Sequence, residues 1–238
     1  MLIPRIITAL ILTAFAVLLI FYVPTRYFAL ITALFLLVGA WEWSRLAGLN
    51  QLPFRVIYCA IVLAAFTGVT LLPVIIIMAI ASVFWILGIV LVISYPKTTI
   101  IWSSRLARCV MGLLVIVPAW LAINTIHASV HGPWILLFMM TLVCAADIGA
   151  YFAGRWWGKH KLMPKVSPGK TWQGFLGGLL FSLLVAMIGT VYVDLGPSAW
   201  IGFMILVILL NVFSVTGDLV ESMLKRYSQV KDKIGRAS

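Results

Sequence analysis

The chain alternates between long apolar runs and short polar segments along almost its whole length. Each run contains about 18 or more residues, which is enough for an α-helix to cross roughly 30 Å of hydrocarbon. Lipid offers no partner for unpaired backbone groups, so such runs are expected to be helical. The pattern predicts eight spanning helices, at approximately 6–23, 27–43, 56–72, 74–94, 108–126, 134–154, 174–193 and 198–217.

Two of these helices come from a single run, 56–93, which is nearly unbroken. Its length and the position of Pro73 near its middle predict two helices joined by a tight turn. Only 10% of all residues are charged, compared with about 25% in soluble domains. The predicted fold is therefore an all-α polytopic membrane helix bundle that forms a single integral-membrane domain over residues 1–238.

The formal net charge of +11 could indicate a nucleic-acid partner, but the positions of the charges give a different interpretation. If the N-terminus lies in the cytoplasm, every lysine and arginine except Arg26 falls on the cytoplasmic side. This asymmetry predicts an even number of spans with both termini cytoplasmic. The basic residues then interact with anionic headgroups, and no nucleic-acid partner is expected.

The most polar internal segment is KLMPKVSPGKTWQG, residues 161–174, which this topology places in the cytoplasm. It is not a P-loop, because Pro164 stands where that motif requires glycine. Its lysines and hydrogen-bond donors nevertheless suit a phosphate, and Ser167–Pro168 could begin the next helix, whose amide groups would bind an anion. The candidate phosphate-binding residues are Lys161, Lys165, Ser167, Lys170, Thr171 and Gln173.

Asp147 lies about two-thirds of the way along its predicted span, among the small residues of CAADIGAYFAG. A carboxylate at that depth costs roughly 2.5–3.5 kcal/mol on insertion scales, so it is expected to face a cavity or a partner and to have a function. The alternative is a structural role, in which Asp147 bonds a neighbouring helix. The small residues around it predict close helix packing.

Asp218 and Glu221 form a second acidic feature, at the cytoplasmic end of the last span. Their i, i+3 spacing places both carboxylates on one helical face, where they could bind Mg²⁺ together with a substrate phosphate. The alternative is an ordinary helix end with an i, i+4 pair between Glu221 and Lys225. Two functional classes remain: an enzyme acting on a phosphorylated lipid, and a transporter or inactive paralogue using Asp147 as an ion or proton site. The clustering of polar residues at the cytoplasmic end favours the enzyme.

Two segments resemble the bacterial phosphatidate cytidylyltransferases, also called CDP-diglyceride synthases. These are CAADIGAYFAGRWWGKHKLMPKVSPGKTWQGFLGG and GDLVESMLKRYSQVKD, the latter similar to the opening of the family's C-terminal signature at Ser222, Leu224, Lys225, Arg226, Lys231 and Asp232. The resemblance implies transfer of a cytidylyl group from CTP to phosphatidate, with Mg²⁺ required, in a bacterial inner-membrane enzyme that is a homodimer.

The resemblance also implies roles for individual residues. Asp218 matches a metal-binding aspartate, and Asp147 matches an aspartate in the family's sixth span. Lys165, Ser167 and Lys170 match a polar loop with expected phosphate contacts, and Lys225 and Arg226 are expected to bind substrate. Residues 1–130 would be the N-terminal helices, and 131–238 would carry the catalytic helices and the cytoplasmic loop.

The family pattern continues beyond the lysine–aspartate pair of the signature, with further metal-binding aspartates and a last span, whereas this sequence ends at Ser238. From this difference we expect little or no activity from the 238-residue chain as written.

Overall fold

A computed structural model describes residues 3–190 and 197–228 of the chain. The helices are α1 (Ile3–Tyr22), α2 (Thr25–Leu46), α3 (Leu52–Val69), α4 (Val74–Ile93), α5 (Thr99–Trp102), α6 (Arg105–His127), α7 (Gly132–Trp157), α8 (Trp172–Thr190) and α9 (Pro197–Ser228). Two strands, β1 (Lys161–Met163) and β2 (Ser167–Thr171), pair in antiparallel fashion between α7 and α8.

The predicted helical membrane fold is confirmed. Within the described ranges, seven helices are long and apolar enough to span a membrane, and α1 contributes a shorter apolar stretch, Leu10–Tyr22. The chain is therefore a multi-pass membrane protein. The expected turn at Pro73 is present, because α3 ends at Val69 and α4 begins at Val74. The count of eight spans and the cytoplasmic location of both termini stay predictions.

The chain divides into two compact units. One comprises residues 1–45, 50–81 and 111–139, and the other comprises 46–49, 82–110 and 140–238. In the first unit, the buried His127 ring stacks on Phe28 at 3.9 Å and its Nε2 donates a hydrogen bond to the carbonyl of Ile20. The division at residue 130 stays a prediction.

In the second unit, α7 and α8 pack with their backbones in close approach, as the small residues near Asp147 predict. A Cβ atom added to Gly177 of α8 would lie 2.2 Å from the Cβ atom of Ala153, and one added to Gly149 would lie 2.6 Å from the carbonyl oxygen of Gly177. Both distances are shorter than any real contact to a Cβ atom. This interface fixes the spacing of the two helices that the hairpin β1–β2 connects.

The predicted helix start at Ser167–Pro168 is wrong, because both residues lie in β2. Helix α8 begins four residues later, at Trp172, where the hydroxyl oxygen of Thr171 accepts a hydrogen bond from the amide of Gly174. A threonine that accepts from the third residue of a helix is a typical N-cap. The Thr171 side chain is buried, and its hydroxyl oxygen is engaged in this hydrogen bond.

Helix α9 contains 32 residues and continues beyond residue 217, the predicted end of the membrane span, as the helical spacing of Asp218 and Glu221 predicts. At 1.5 Å per residue, a helix of this length measures about 48 Å and exceeds the roughly 30 Å of membrane hydrocarbon. Its last turns therefore extend past the hydrocarbon and carry Asp218, Glu221, Lys225 and Arg226 on one continuous helix.

Candidate active site

The hairpin and α9 meet through a close ion pair between Lys170 and Asp218. The Nζ atom of Lys170 lies 2.6 Å from Oδ2 of Asp218. The Lys170 side chain is 27% exposed and that of Asp218 is 61% exposed, so the pair is open to a ligand from the Asp218 side. These residues are separated by 48 positions in the sequence, and the fold brings them together.

Asp147 of α7 belongs to the same electrostatic environment. Its carboxylate interacts with the negative charge of Asp218 and the positive charge of Lys170. Asp147 is exposed within the described structure. The three residues predicted to be catalytic therefore lie within electrostatic range of one another, although they come from α7, β2 and α9.

Glu221, the second predicted metal ligand, forms an ion pair with Lys225 one turn further along α9, with 2.9 Å between Oε1 and Nζ. The sequence allowed for this i, i+4 pair as the alternative to a metal site. Both side chains remain substantially exposed, at 49% for Glu221 and 36% for Lys225. An exposed pair of this kind contributes less than about 1 kcal/mol, so a ligand could displace it at little cost.

Other predicted binding residues hold the hairpin in place. The side-chain oxygen of Gln173 accepts a hydrogen bond from the amide of His160 at 3.1 Å, and its nitrogen lies 2.8 Å from Nδ1 of the His160 ring. The Nε atom of Arg226 donates to the backbone carbonyl of Val166 in the turn between the strands. Gln173 thus closes the base of the hairpin, and Arg226 attaches its tip to α9.

Three further predicted phosphate-binding residues lie along the hairpin. Lys161 begins β1, Lys165 is in the turn, and Ser167 begins β2. Lys161 and Lys165 are exposed, and Ser167 is partly exposed. They make this hairpin a basic surface, but of its lysines only Lys170 has an ion pair within the described ranges.

Sequence reasoning missed His160, Val166 and Arg108. Arg108 is buried, donates to the carbonyl of Leu46 at 3.2 Å and lies 5.0 Å from the centre of the Tyr227 ring. The sequence indicated only a surface charge there. No local signal identifies these residues, because each acts through a contact made across the fold.

The donor set suits a Mg²⁺ ion shared with a substrate. The described residues contain no group of three or more histidine, cysteine, aspartate or glutamate side chains that could hold a metal ion. Mg²⁺ usually binds through one or two carboxylates, with several waters and substrate phosphates completing its octahedron. The Asp218 side chain is 61% exposed, and its carboxylate lies within electrostatic range of Asp147, which fits that pattern.

These features define a polytopic helical membrane protein with a polar site, where a basic hairpin meets an acidic helix end. The cytidylyltransferase family pattern matches residues 3–235. The chain is 40% identical over 230 residues to a phosphatidate cytidylyltransferase of Pseudomonas aeruginosa, covering 96% of this chain and 85% of the relative. It is 36% identical to that of Haemophilus influenzae, covering 96% and 87%. The chain therefore belongs to the cytidylyltransferase family and is a nucleotidyltransferase.

A third relative matches a shorter part of the chain. A phosphatidate cytidylyltransferase of Staphylococcus saprophyticus is 46% identical over 97 residues, which is 41% of this chain and 37% of that protein.

Proposed function

We propose that the protein transfers the cytidylyl group of CTP to phosphatidate, giving CDP-diacylglycerol and pyrophosphate in phospholipid synthesis. The observation that carries the proposal is the Lys170–Asp218 pair, in which the lysine predicted to bind phosphate lies against the carboxylate predicted to bind a metal. The family membership and the names of the two relatives with near full-length similarity support this reaction.

In the reaction, a phosphate oxygen of phosphatidate attacks the α-phosphorus of CTP. The bond between that phosphorus and the oxygen bridging to the β-phosphate breaks, and pyrophosphate leaves. Such transfers depend mainly on positioning and on neutralising charge. Lys170 can place its ammonium group against a phosphate oxygen when that oxygen replaces the carboxylate of Asp218 as its partner. The other hairpin lysines, Lys161 and Lys165, raise the local concentration of the anionic nucleotide.

Asp218 would hold a Mg²⁺ ion, which when bound would supply positive charge to neutralise the phosphates of the nucleotide. Glu221 lies about one helical turn from Asp218 and would be the second carboxylate available to hold the ion. The negative charge of Asp147 would counterbalance part of the positive charge of Lys170 and of a bound metal ion. We assign Asp147, Lys170 and Asp218 to catalysis on this basis.

The remaining assignments extend the same proposal. Thr171, Gln173 and Arg226 contribute through the shape of the hairpin. Ser167 and Lys225 are assigned to substrate binding from the family resemblance. We place the enzyme in the bacterial inner membrane, with both termini cytoplasmic, and assign it a homodimeric state. These last features are supported by the distribution of basic residues and by the family resemblance.

The proposal is tested by labelled CTP and phosphatidate supplied to membranes that contain the chain extended by the C-terminal segment of the family pattern, and this extended chain is the wild type of the activity assays below. Asp218→Asn preserves shape and removes the charge, and we expect it to lower turnover by at least about 10²–10³-fold, the range found for loss of one electrostatic contact in an active site. Glu42→Gln is the matched control, because Glu42 is 64% exposed and its nearest cation, on Arg45, lies 3.7 Å away.

Label that enters the lipid fraction with wild type and Glu42→Gln but not with Asp218→Asn supports the assignment. Equal turnover in all three proteins contradicts the role of Asp218. Transport of a substrate across sealed vesicles, without label entering lipid, would instead favour the transporter.

A further inference from the structure

An apolar pocket of about 160 Å³ is formed partly by the hairpin and by α9, the elements that carry the Lys170–Asp218 pair. It is lined by the end of α4, by β1, by the start of α8 and by α9. Two of its α9 residues, Thr216 and Leu219, flank Asp218 in the sequence. The pocket therefore shares the hairpin and α9 with the ion pair.

The lining offers a ligand almost nothing but hydrocarbon. Among the described residues that form the pocket, only Thr216 carries a hydroxyl, and this hydroxyl donates to the carbonyl of Val212 one turn earlier, at 2.7 Å. The hydroxyl proton of Thr216 is thus used within its own helix, and Trp172 adds one indole N–H to an otherwise apolar set of side chains. A ligand in this pocket is expected to be apolar.

The geometry of α9 and the hairpin relates the pocket to the charged pair. Val215 lines the pocket, and Asp218 follows it at i+3, so these side chains are neighbours on the helix surface. Across the hairpin, Leu162 of β1 contributes to the pocket, while Lys170 of β2 binds Asp218. The hairpin and α9 therefore carry both the apolar residues that line the pocket and the charged residues that form the ion pair.

The pocket is open on one side. Ile93 and Trp172 belong to its lining and are 61% and 48% exposed, which leaves an entrance at the outer surface of these elements. An apolar cavity of about 150 Å³ accommodates benzene, with six carbon atoms. The pocket thus has room for about six carbon atoms of a chain, with the rest remaining in the bilayer.

We propose that this pocket binds the glycerol-proximal part of one acyl chain of the lipid substrate while its phosphate lies at Lys170 and Asp218. This inference rests on the proposed function, because it requires a lipid phosphate as substrate. The adjacent ammonium group selects this occupant over the zwitterionic lipids of the bulk membrane, since it attracts the more negative phosphate monoester.

Filling the pocket tests this inference. Val215→Phe adds a ring to the lining, whereas Val90→Phe makes the same change at a position of α4 that is 52% exposed and does not line the pocket. We expect Val215→Phe to raise the KM for dioleoyl phosphatidate about tenfold and to leave the KM for CTP unchanged. Val90→Phe should match wild type in both. An unchanged KM for phosphatidate in a folded, active Val215→Phe protein would overturn the inference.

A binding measurement separates this inference from the reaction itself. Wild-type protein in phosphatidylcholine vesicles is exposed to a phosphatidate that carries a diazirine near the acyl carbonyl, and the labelled peptides are identified. Labelling of pocket peptides that is prevented by unlabelled phosphatidate supports the inference, even if no cytidylyl transfer is detected. Equal labelling by the corresponding diazirine phosphatidylcholine assigns the pocket to bulk lipid and overturns it.

Discussion

The contact between α7 and α8 at Gly177 allows a prediction whose magnitude follows from the structure. A methyl group at this position would lie 2.2 Å from the Cβ atom of Ala153 and 2.9 Å from the carbonyl oxygen of Gly149. Carbon atoms pack best at about 3.5–4.0 Å, so Gly177→Ala must separate the helices by about 1.5 Å. Overpacking of this kind costs about 1–3 kcal/mol.

Alanine also has a better intrinsic helix propensity than glycine, by about 0.8–1.0 kcal/mol, which offsets part of the steric cost. Gly39→Ala is the matched control, because a Cβ atom at Gly39 of α2 meets nothing within 4 Å. The difference in stability between these two variants should therefore equal the steric cost alone. We expect Gly177→Ala to be less stable than Gly39→Ala by about 1–3 kcal/mol in detergent unfolding.

The same separation should reduce activity. Lys170 lies two residues before α8, and Asp147 lies on α7, so the interface controls their relative positions. A displacement of about 1 Å can reduce a rate by about 10²-fold. We expect cytidylyl transfer by Gly177→Ala to fall by about 10- to 100-fold, and by Gly39→Ala to remain at the wild-type level.

A second substitution provides the strictest test. Ala153→Gly removes the closest atom of the clash, so the double variant Gly177→Ala, Ala153→Gly should recover most of the lost stability and activity. If Gly177→Ala is as stable and as active as Gly39→Ala, or if Ala153→Gly gives no recovery, then α7 and α8 are not packed as described.

Two further predictions concern local backbone structure. Thr171→Val removes the N-cap of α8 and should lower the free energy of unfolding by about 1 kcal/mol, whereas Thr171→Ser should keep the cap. A raised KM for CTP in Thr171→Val with unchanged thermal stability would instead indicate a substrate contact. Gly48 has φ = +83°, and a Cβ atom there would lie 3.2 Å from Nη2 of Arg108. Gly48→Ala should therefore lower the free energy of unfolding by about 1–2 kcal/mol in thermal unfolding, and a variant as stable as Gly39→Ala would contradict this.

The membrane helices could be predicted from the sequence because hydrocarbon thickness imposes a minimum length on every span. The last membrane span was predicted to end at residue 217, where charged residues begin, and the spacing of Asp218 and Glu221 predicted that the helix itself continues. The helix continues because no proline interrupts it and because Leu219, Val220, Met223 and Leu224 keep one side buried. Polar residues there mark the end of the membrane, but they do not end the helix.

The hairpin could not be predicted in the same way. Its strands have only three and five residues, and Pro164 and Pro168 interrupt the usual strand pattern. Its geometry depends on contacts with residues outside the hairpin, such as the bond from Arg226 to Val166, which are 60 positions apart. The sequence identified Lys170 and Asp218 separately, as a phosphate ligand and a metal ligand, but their pairing requires the fold.

The attachment of the hairpin to α9 sets an order for the maturation of the protein in the cell. Lys170 is synthesised 48 residues before Asp218, and at about 5–20 residues per second the ribosome needs roughly 2–10 s to cover that distance. During this interval the basic hairpin has neither its acidic partner nor the anchor from Arg226. The newly made hairpin is therefore an exposed cationic segment at the membrane surface, and insertion of α9 converts it into a binding site.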